Sequence, residues 1–361
     1  MQFKRIKPNP EICARILEIF PHQEEPSASQ LSQRLKISTK SIQTQLNCAF
    51  LTEFMAKHGH QGIEKYKIKF ALTGSSARKL KKGGANLLAN RAASFALNPF
   101  TAYELGDHFE LSQALRFGLL PKFWQEKNLE EKDIERALYS YVQTYLKEEI
   151  AAEQLVRNLD PFRRFLVASA QSNAKIINYS KIEKDAGISS GQAERHFEII
   201  IDTLIGRYLH PYEKSVRKRQ TKKAKFYFFD TGVLRALQNM AGETLDPSTY
   251  EYGDIFETFI INEFFKLKDA LEKRWEFSYL RTKDNVEIDL IIEKPKGETL
   301  LIEIKSGVTI KTEHIKSLNT IAKSFKQPKK YILGNFKHCE MIDEVRCLHW
   351  LDGLKEIFDL T

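Results

Sequence analysis

Residues 286–307, VEIDLIIEKPKGETLLIEIKSG, contain two apolar runs separated by a short segment with proline and glycine. The two runs predict a pair of strands that lie in the interior of a domain. Charged residues nevertheless lie inside them, with Asp289 in the first run and Glu303 and Lys305 in the second. Because an isolated charge is costly to bury, these three residues need either partners or a function.

The segments around this hairpin predict an α/β domain. A connector that contains Gly, Pro and Ser (240–253) precedes a helical pattern at 255–271. The remaining elements are predicted to be strands near 276–281, 286–293 and 299–305, a helix near 311–325 and a strand at 331–336.

Composition restricts the class of protein. The 361 residues are enough for two or three domains, and 42% of them are hydrophobic, which is ordinary for a globular protein. No apolar run approaches the roughly 18 residues of a membrane span, so we expect no membrane partner. The first 20 residues lack the apolar core of a signal peptide, and the four cysteines form no CxxC pair. We therefore expect a cytoplasmic protein without a zinc ribbon.

Positive charge is clustered in a chain whose net charge is +9. Residues 214–225, KSVRKRQTKKAK, contain seven Lys or Arg and no acid, and residues 65–91 are also basic. Such a run is typical of a nucleic-acid contact, although a solvated loop without a partner has the same composition.

The segments on either side of the basic run favour the nucleic-acid interpretation. Residues 176–213 show the pattern of a helix-turn-helix, with a turn at Gly187 and a cap at Ser189 or Ser190, followed by two strands that the basic run joins. This pattern predicts a winged helix on double-stranded DNA, with helix 190–204 in the major groove. The predicted contacts are Gln192 and Arg195 on the helix and Arg217, Lys218, Arg219, Lys222 and Lys223 at the wing tip. A weaker helix-turn-helix pattern covers residues 27–46.

Several motifs occur in an order that resembles the AAA_14/DUF4143 family of prokaryotic AAA-type ATPases. They include LTGSSARKL (72–80), GGANLLANRA (83–92), KFYFFDTGV (225–233), FETFIINE and VEIDLII. The resemblance implies an α/β multidomain chain. Its parts would be a helical N-terminal segment (1–65), a remnant of the ATPase module (66–127), a helical and winged-helix domain (128–239) and a PD-(D/E)xK nuclease-like α/β domain (245–361).

The nucleotide site of that family is not matched. The resemblance implies a P-loop, and no GxxxxGK[ST] motif occurs in this sequence. Only a strand end at Thr73–Ser76 and Arg91 resemble later parts of the ATPase. We therefore expect neither ATP as a cofactor nor ATP hydrolysis by this chain alone.

The nuclease-like fold implies a glutamate on a helix, an aspartate on a strand and an acid-x-lysine pair on the next strand. The residues that match are Glu257, Asp289, Glu303 and Lys305, of which the three carboxylates would hold Mg²⁺ and the lysine would contact water or phosphate. Glu287 is a lesser candidate, and Arg281 and Lys283 could touch a substrate backbone. The alternative is a non-catalytic DNA-binding or regulatory protein with a silent nuclease fold, because a Glu-x-Lys pair is usually a solvated strand face.

Overall fold

The computed structural model describes residues 96–125, 129–145, 159–213, 223–282 and 286–360. These residues form an α/β structure with eleven α-helices and one mixed sheet of eight strands. Several sequence-based predictions lie outside the described residues. They are the N-terminal segment 1–65 with its helix-turn-helix pattern, the ATPase-like motifs at 72–92, and Arg217, Lys218, Arg219, Lys222 and Lys283.

The described part before residue 240 is mainly helical. Its helices are α1 (Ala102–Leu105), α2 (Leu111–Phe117), α3 (Lys122–Gln125), α4 (Glu131–Ser140), α5 (Leu159–Gln171), α6 (Tyr179–Ala186), α7 (Ser190–Asp202) and α8 (Thr231–Leu237). Strands β1 (Gly206–Pro211) and β2 (Lys225–Phe228) pair antiparallel, as predicted for the segments that flank the basic run.

The later part contains the predicted helix, strands, helix and strand in the predicted order. Helix α9 (Tyr250–Ala270) is followed by β3 (Glu276–Arg281), β4 (Glu287–Glu293), β5 (Thr299–Lys305), α10 (Thr312–Ala322) and β6 (Lys329–Gly334). The sequence did not predict β7 (Glu340–Ile342), β8 (Val345–His349) or α11 (Trp350–Phe358).

All eight strands belong to one sheet with the order β2-β1-β3-β4-β5-β6-β8-β7. Strands β3, β4 and β5 are antiparallel neighbours, whereas β5, β6 and β8 run parallel. On one face Leu290 and Ile302 belong to the same apolar cluster as Phe259 of α9, and on the other Ile291 packs with Ile315 of α10. The central strands are buried on both faces, which is why their sequences read as continuous apolar runs.

Two helices, α6 and α7, occupy the segment for which the sequence predicts a helix-turn-helix. Gly187 has the left-handed conformation that ends α6. The hydroxyl of Ser189 accepts from the Gln192 amide, while the Gln192 side chain accepts from the Ser189 amide, so a capping box begins α7. The N-cap of α6 is Asn178, whose carboxamide oxygen accepts from the Lys181 amide.

A buried aspartate connects α8 to the end of α2. Asp230 caps α8 by accepting from the Val233 amide, and it also accepts from the Leu119 amide at 2.7 Å. The first turn of α8 also lies against the end of α2, so closely that a Cβ on Gly232 would be 2.1 Å from the carbonyl oxygen of Phe117. The Asp-Thr-Gly of the KFYFFDTGV motif is therefore explained by packing.

None of the helices in the described ranges is long and apolar enough to cross a membrane.

We predict that Gly232→Ala lowers the free energy of unfolding by about 1–3 kcal/mol, because the added methyl group collides with backbone. Gly191→Ala is the matched control, since Gly191 lies in α7 and a Cβ there meets no atom within 4 Å. Alanine in a helix should leave stability unchanged or raise it by up to about 1 kcal/mol. Urea unfolding of the two variants checks this, and equal losses of stability would contradict the packing explanation.

Candidate functional site

Four carboxylates lie together where β4 begins and β5 ends. Glu257 comes from α9, Glu287 and Asp289 from β4, and Glu303 from β5; we call these four residues the acidic cluster. The pairing of Leu290 with Ile302 places Asp289 beside the end of β5, where its carboxylate accepts from the Ile304 amide at 2.7 Å. The charges of Glu303 and Glu257 both act on Asp289, so the structure brings together three of the four residues named from the sequence.

An irregularity in the sheet directs Asp289. The register between β3 and β4 shifts between Ser278 and Leu280, which pair with Ile291 and Ile288, so β4 carries an extra residue at this point. A β-bulge re-aims the side chains next to it and interrupts the alternation of faces. Simple alternation of faces along β4 therefore does not describe the direction of Asp289.

Glu303 and Lys305 form an ion pair at the end of β5. The Nζ atom of Lys305 lies 2.6 Å from Oε1 of Glu303, and both side chains are mostly buried. The other carboxylate oxygen of Glu303, Oε2, is buried and has no hydrogen-bond partner among the described residues. One oxygen of the cluster is thus available to a cation or a water molecule.

Glu257 and Glu287 share a buried lysine. The Nζ atom of Lys225 lies 3.1 Å from Oε1 of Glu257 and also forms an ion pair with Glu287. The hydroxyl of Tyr227 donates to the same Glu257 oxygen at 2.7 Å. Lys225 is only 3% exposed. Lys225, the last residue of the basic run, is thus buried against carboxylates. The interpretation of the run as a nucleic-acid contact is therefore wrong for this residue, which a polyanion cannot reach.

The burial of these charged groups close to one another shifts their pKa values. Burial, and after it the charges of Glu303 and Glu257, raises the pKa of Asp289 well above its usual range. Burial also raises the pKa of Glu303, although Lys305 counteracts it. Burial disfavours the Lys305 ammonium, but Asp289 and Glu303 outweigh it and raise its pKa to about 12. The carboxylates therefore compete for too little positive charge.

The donor set suits a hard divalent cation, because all four acids offer carboxylate oxygens. With all four ionised, the buried ammonium groups of Lys225 and Lys305 and the more distant guanidinium of Arg281 do not fully compensate the negative charge. Even so, no group of three or more His, Cys, Asp or Glu side chains within the described ranges is arranged to hold a metal ion. In this arrangement Lys225 holds Glu257, Lys305 holds Glu303, and a backbone amide holds Asp289.

The predicted nucleic-acid contacts on α7 occupy different environments. The carboxamide oxygen of Gln192 is used in the helix cap, 3.0 Å from the Ser189 amide. Arg195 is exposed, but the exposed acids Glu194 and Glu198 lie on the same helix, one residue before it and three residues after it. The outward surface of α7 is therefore not basic.

The described residues at the edges of the basic run are held by β3. Lys223 is exposed, and its carbonyl oxygen accepts from the hydroxyl of Tyr279 at 2.8 Å. On the other side of the run, the Tyr212 amide donates to the carbonyl oxygen of Tyr279. Arg281, a predicted substrate contact, lies 3.8 Å from Glu287 at the rim of the acidic cluster.

Comparison with known proteins gives two family matches. Residues 252–350 match the domain of unknown function DUF4143, and residues 108–244 match the domain of unknown function DUF8612. The first match confirms the DUF4143 part of the resemblance. The acidic cluster lies within 252–350, whereas Lys225 and Tyr227 lie within 108–244, so residues of both matched segments meet at this site.

The curated relatives add no function. Uncharacterized proteins of Mycobacterium tuberculosis and Mycobacterium bovis are each 24% identical over 241 residues, which is 67% of this chain and 53% of the relative. The chain thus spans about half the length of the curated relatives it matches. No solved structure matches this chain.

Sequence reasoning missed Lys225 and Tyr227 as parts of the site. A basic run is usually solvated, and in the sequence Lys225 is the last residue of one. The signal that could have separated it is its position at the start of the apolar strand KFYF, all four residues of which are buried. A lysine inside an apolar strand requires a buried acid as partner.

A buried histidine lies on the inner side of α7. His196 is 8% exposed and packs between Phe162 and Phe165, and neither ring nitrogen has a hydrogen-bond partner among the described residues. Burial, and then the charge of Arg195, lowers the pKa of His196 below its ordinary 6.5. The folded protein therefore favours the neutral ring.

We predict that the free energy of unfolding falls as the pH decreases below about 6.5, because the unfolded chain then binds a proton that folded His196 resists. The loss continues down to the lowered pKa of the folded state. His196→Phe removes this contribution, so the stability of the variant should decline less between pH 7 and pH 5. Chemical unfolding at several pH values measures both slopes, and parallel slopes would refute the role of His196.

Proposed function

We propose that this chain is a DNA-binding protein that cleaves phosphodiester bonds with Mg²⁺ at the acidic cluster. The observation that carries the proposal is the meeting of Asp289 with the Glu303–Lys305 pair at the ends of two central strands, with Oε2 of Glu303 unpaired. Uncompensated carboxylates beside a lysine are the groups that metal-assisted attack on a phosphodiester requires.

Each residue has a role in this proposal. Asp289, Glu303 and Glu257 would hold Mg²⁺, which supplies Lewis-acid stabilisation and a more acidic water molecule when bound. Lys305 remains an ammonium at neutral pH because its pKa is raised to about 12. It would therefore contact a phosphate oxygen or orient water as a cation, and it is unsuited to act as the general base.

The proposed substrate is double-stranded DNA. Helices α6 and α7 with the β1–β2 pair have the order of elements of a winged helix, and the basic run lies between the two strands in the sequence. Because acids accompany Arg195 on α7, we propose that backbone contacts come mainly from the run, through Arg217, Lys218, Arg219, Lys222 and Lys223. Gln192 and Arg195 would be secondary contacts.

We predict that purified protein nicks or linearises plasmid DNA with Mg²⁺ or Mn²⁺. Asp289→Ala and Lys305→Ala should each lower the rate by about 100-fold or more, because each removes a group that stabilises charge at the reacting phosphate. Gel analysis of plasmid and single-stranded substrates measures this, and chelation of the metal should abolish cleavage.

Lys296→Gln is the control for the cleavage assay. Lys296 lies in the turn between β4 and β5, at the end of these strands opposite to the acidic cluster, and its removal should leave the rate unchanged. Metal-dependent cutting that persists in both alanine variants would indicate a contaminating nuclease. An absence of cutting under all conditions would leave the second candidate function.

The second candidate is a non-catalytic DNA-binding or regulatory protein. The observation that favours it is that Lys225 and Lys305 already pair with Glu257 and Glu303, so two of the three predicted metal ligands are neutralised without a metal. In this case the acidic cluster would be a structural ion network, and DNA binding would depend on the basic run alone.

Both candidates predict salt-dependent DNA binding. Arg217→Gln with Arg219→Gln should weaken binding and reduce the slope of log K against log salt by about 0.9 for each phosphate that the run no longer neutralises. The matched control is Lys296→Gln with Lys329→Gln, since Lys329 pairs with Leu300 at the end of the sheet opposite to the acidic cluster. Fluorescence anisotropy over a salt series measures the slopes, and identical slopes in the two double variants would contradict a role for the run.

A further inference from the structure

Lys225 forms ion pairs with two of the four carboxylates of the acidic cluster. Its ammonium contacts Glu257 at 3.1 Å and Glu287, and the ring of Tyr279 lies 5.7 Å away. The hydroxyl of Tyr227 completes the surroundings of Glu257. Lys225 thus occupies the position from which a cation would neutralise Glu257 and Glu287 together.

The two lysines divide the cluster. Lys305 pairs with Glu303, and Lys225 pairs with Glu257 and Glu287, while Asp289 lies between the two halves with an amide as its hydrogen-bond partner. Lys225 forms its ion pairs with Glu257 and Glu287, so a divalent ion bound by Asp289 and Oε2 of Glu303 would leave those pairs intact. The same ion can use Glu257 as a third ligand only by competing with the Lys225 ammonium for that carboxylate.

We propose that Lys225 is a built-in competitor of the divalent ion, so that a residue of β2 sets the metal affinity of the acidic cluster. This inference rests on the metal site of the proposed function. With Lys225 in place, the ion is held by Asp289 and Glu303 and must compete with the Lys225 ammonium for Glu257, so it binds weakly. Without the ammonium, Glu257 becomes an available third carboxylate, and the ion binds more tightly.

The direction of the effect separates this role from a merely structural one. A residue that only supports the site would, when removed, disorder the carboxylates and weaken metal binding. A competing cation would, when removed, strengthen it, because the uncompensated carboxylates then attract the metal. The metal should also restore the stability that Lys225→Met loses, since a ligand that binds only the folded state stabilises it.

The experiment is a calorimetric titration of the full chain with Mn²⁺, together with thermal unfolding with and without Mn²⁺. Relative to wild type, Lys225→Met should bind Mn²⁺ about tenfold more tightly. At saturating Mn²⁺ its melting temperature should rise by about 2 °C more than that of wild type. Lys225→Arg retains the charge and should keep the wild-type affinity.

Lys266→Met is the matched control. Lys266 is also buried and paired with a buried acid, Glu263, and it donates to the carbonyl oxygen of Phe100 at 2.6 Å, but it has no contact with the acidic cluster. This variant should lose stability as Lys225→Met does, and Mn²⁺ should not restore it.

A charge-balanced variant covers the case in which Lys225→Met does not fold. Lys225→Met with Glu287→Gln removes one charge of each sign and leaves Glu257 free, so it should fold and bind Mn²⁺ more tightly than wild type. Unchanged or weaker binding in the variants, with clear binding by wild type, would overturn the role of Lys225 and leave the proposed metal site intact. Absence of Mn²⁺ binding in every chain would overturn both.

Discussion

The pairing of Lys225 with Glu257 and Glu287 is the interaction on which the organisation of this protein depends. It links β2 to helix α9 and strand β4, and therefore ties the segment matched by DUF8612 to the one matched by DUF4143. Four carboxylates cannot remain together in a buried place without cations, because desolvation and mutual repulsion both oppose their charge. The site is consequently a property of the joined segments rather than of the later segment alone.

Buried charges make the same kind of connection elsewhere. Arg235 is fully buried on α8, where it pairs with Glu251 at 2.6 Å and donates to the carbonyl oxygens of Met240 and Glu243. Glu263 on α9 pairs with Lys266 and accepts from the Ala102 amide. Each of these groups satisfies backbone atoms that loops bring into the interior. Removing one partner leaves an unpaired buried charge, so the network specifies which loop packs against which helix.

The sequence predicted the central strands well and the edges of the sheet poorly. Strands β4 and β5 are buried on both faces, so their apolar runs are long and unambiguous. Strands β7 and β8 are short and carry polar residues, and only their neighbours in the sheet make them strands. Asp289, Glu303 and Lys305 could be singled out as charged residues within apolar runs, whereas Lys225 could not, because its burial depends on a tertiary contact with Glu257. The bulge at Asp289 likewise arises from pairing with β3, which a single strand's sequence does not show.

The hydrogen bonds of Tyr279 bear on how this protein can diverge. Its carbonyl oxygen accepts from Tyr212 and its hydroxyl donates to Lys223, so a single residue of β3 secures the chain on both sides of the basic run. Because both ends are fixed, added chain between these anchors costs little, about 0.6 kcal/mol of closure free energy for each doubling of the connecting length. Insertions and changes of charge can therefore accumulate between Tyr212 and Lys223 in related proteins while the acidic cluster and the sheet around it stay as they are.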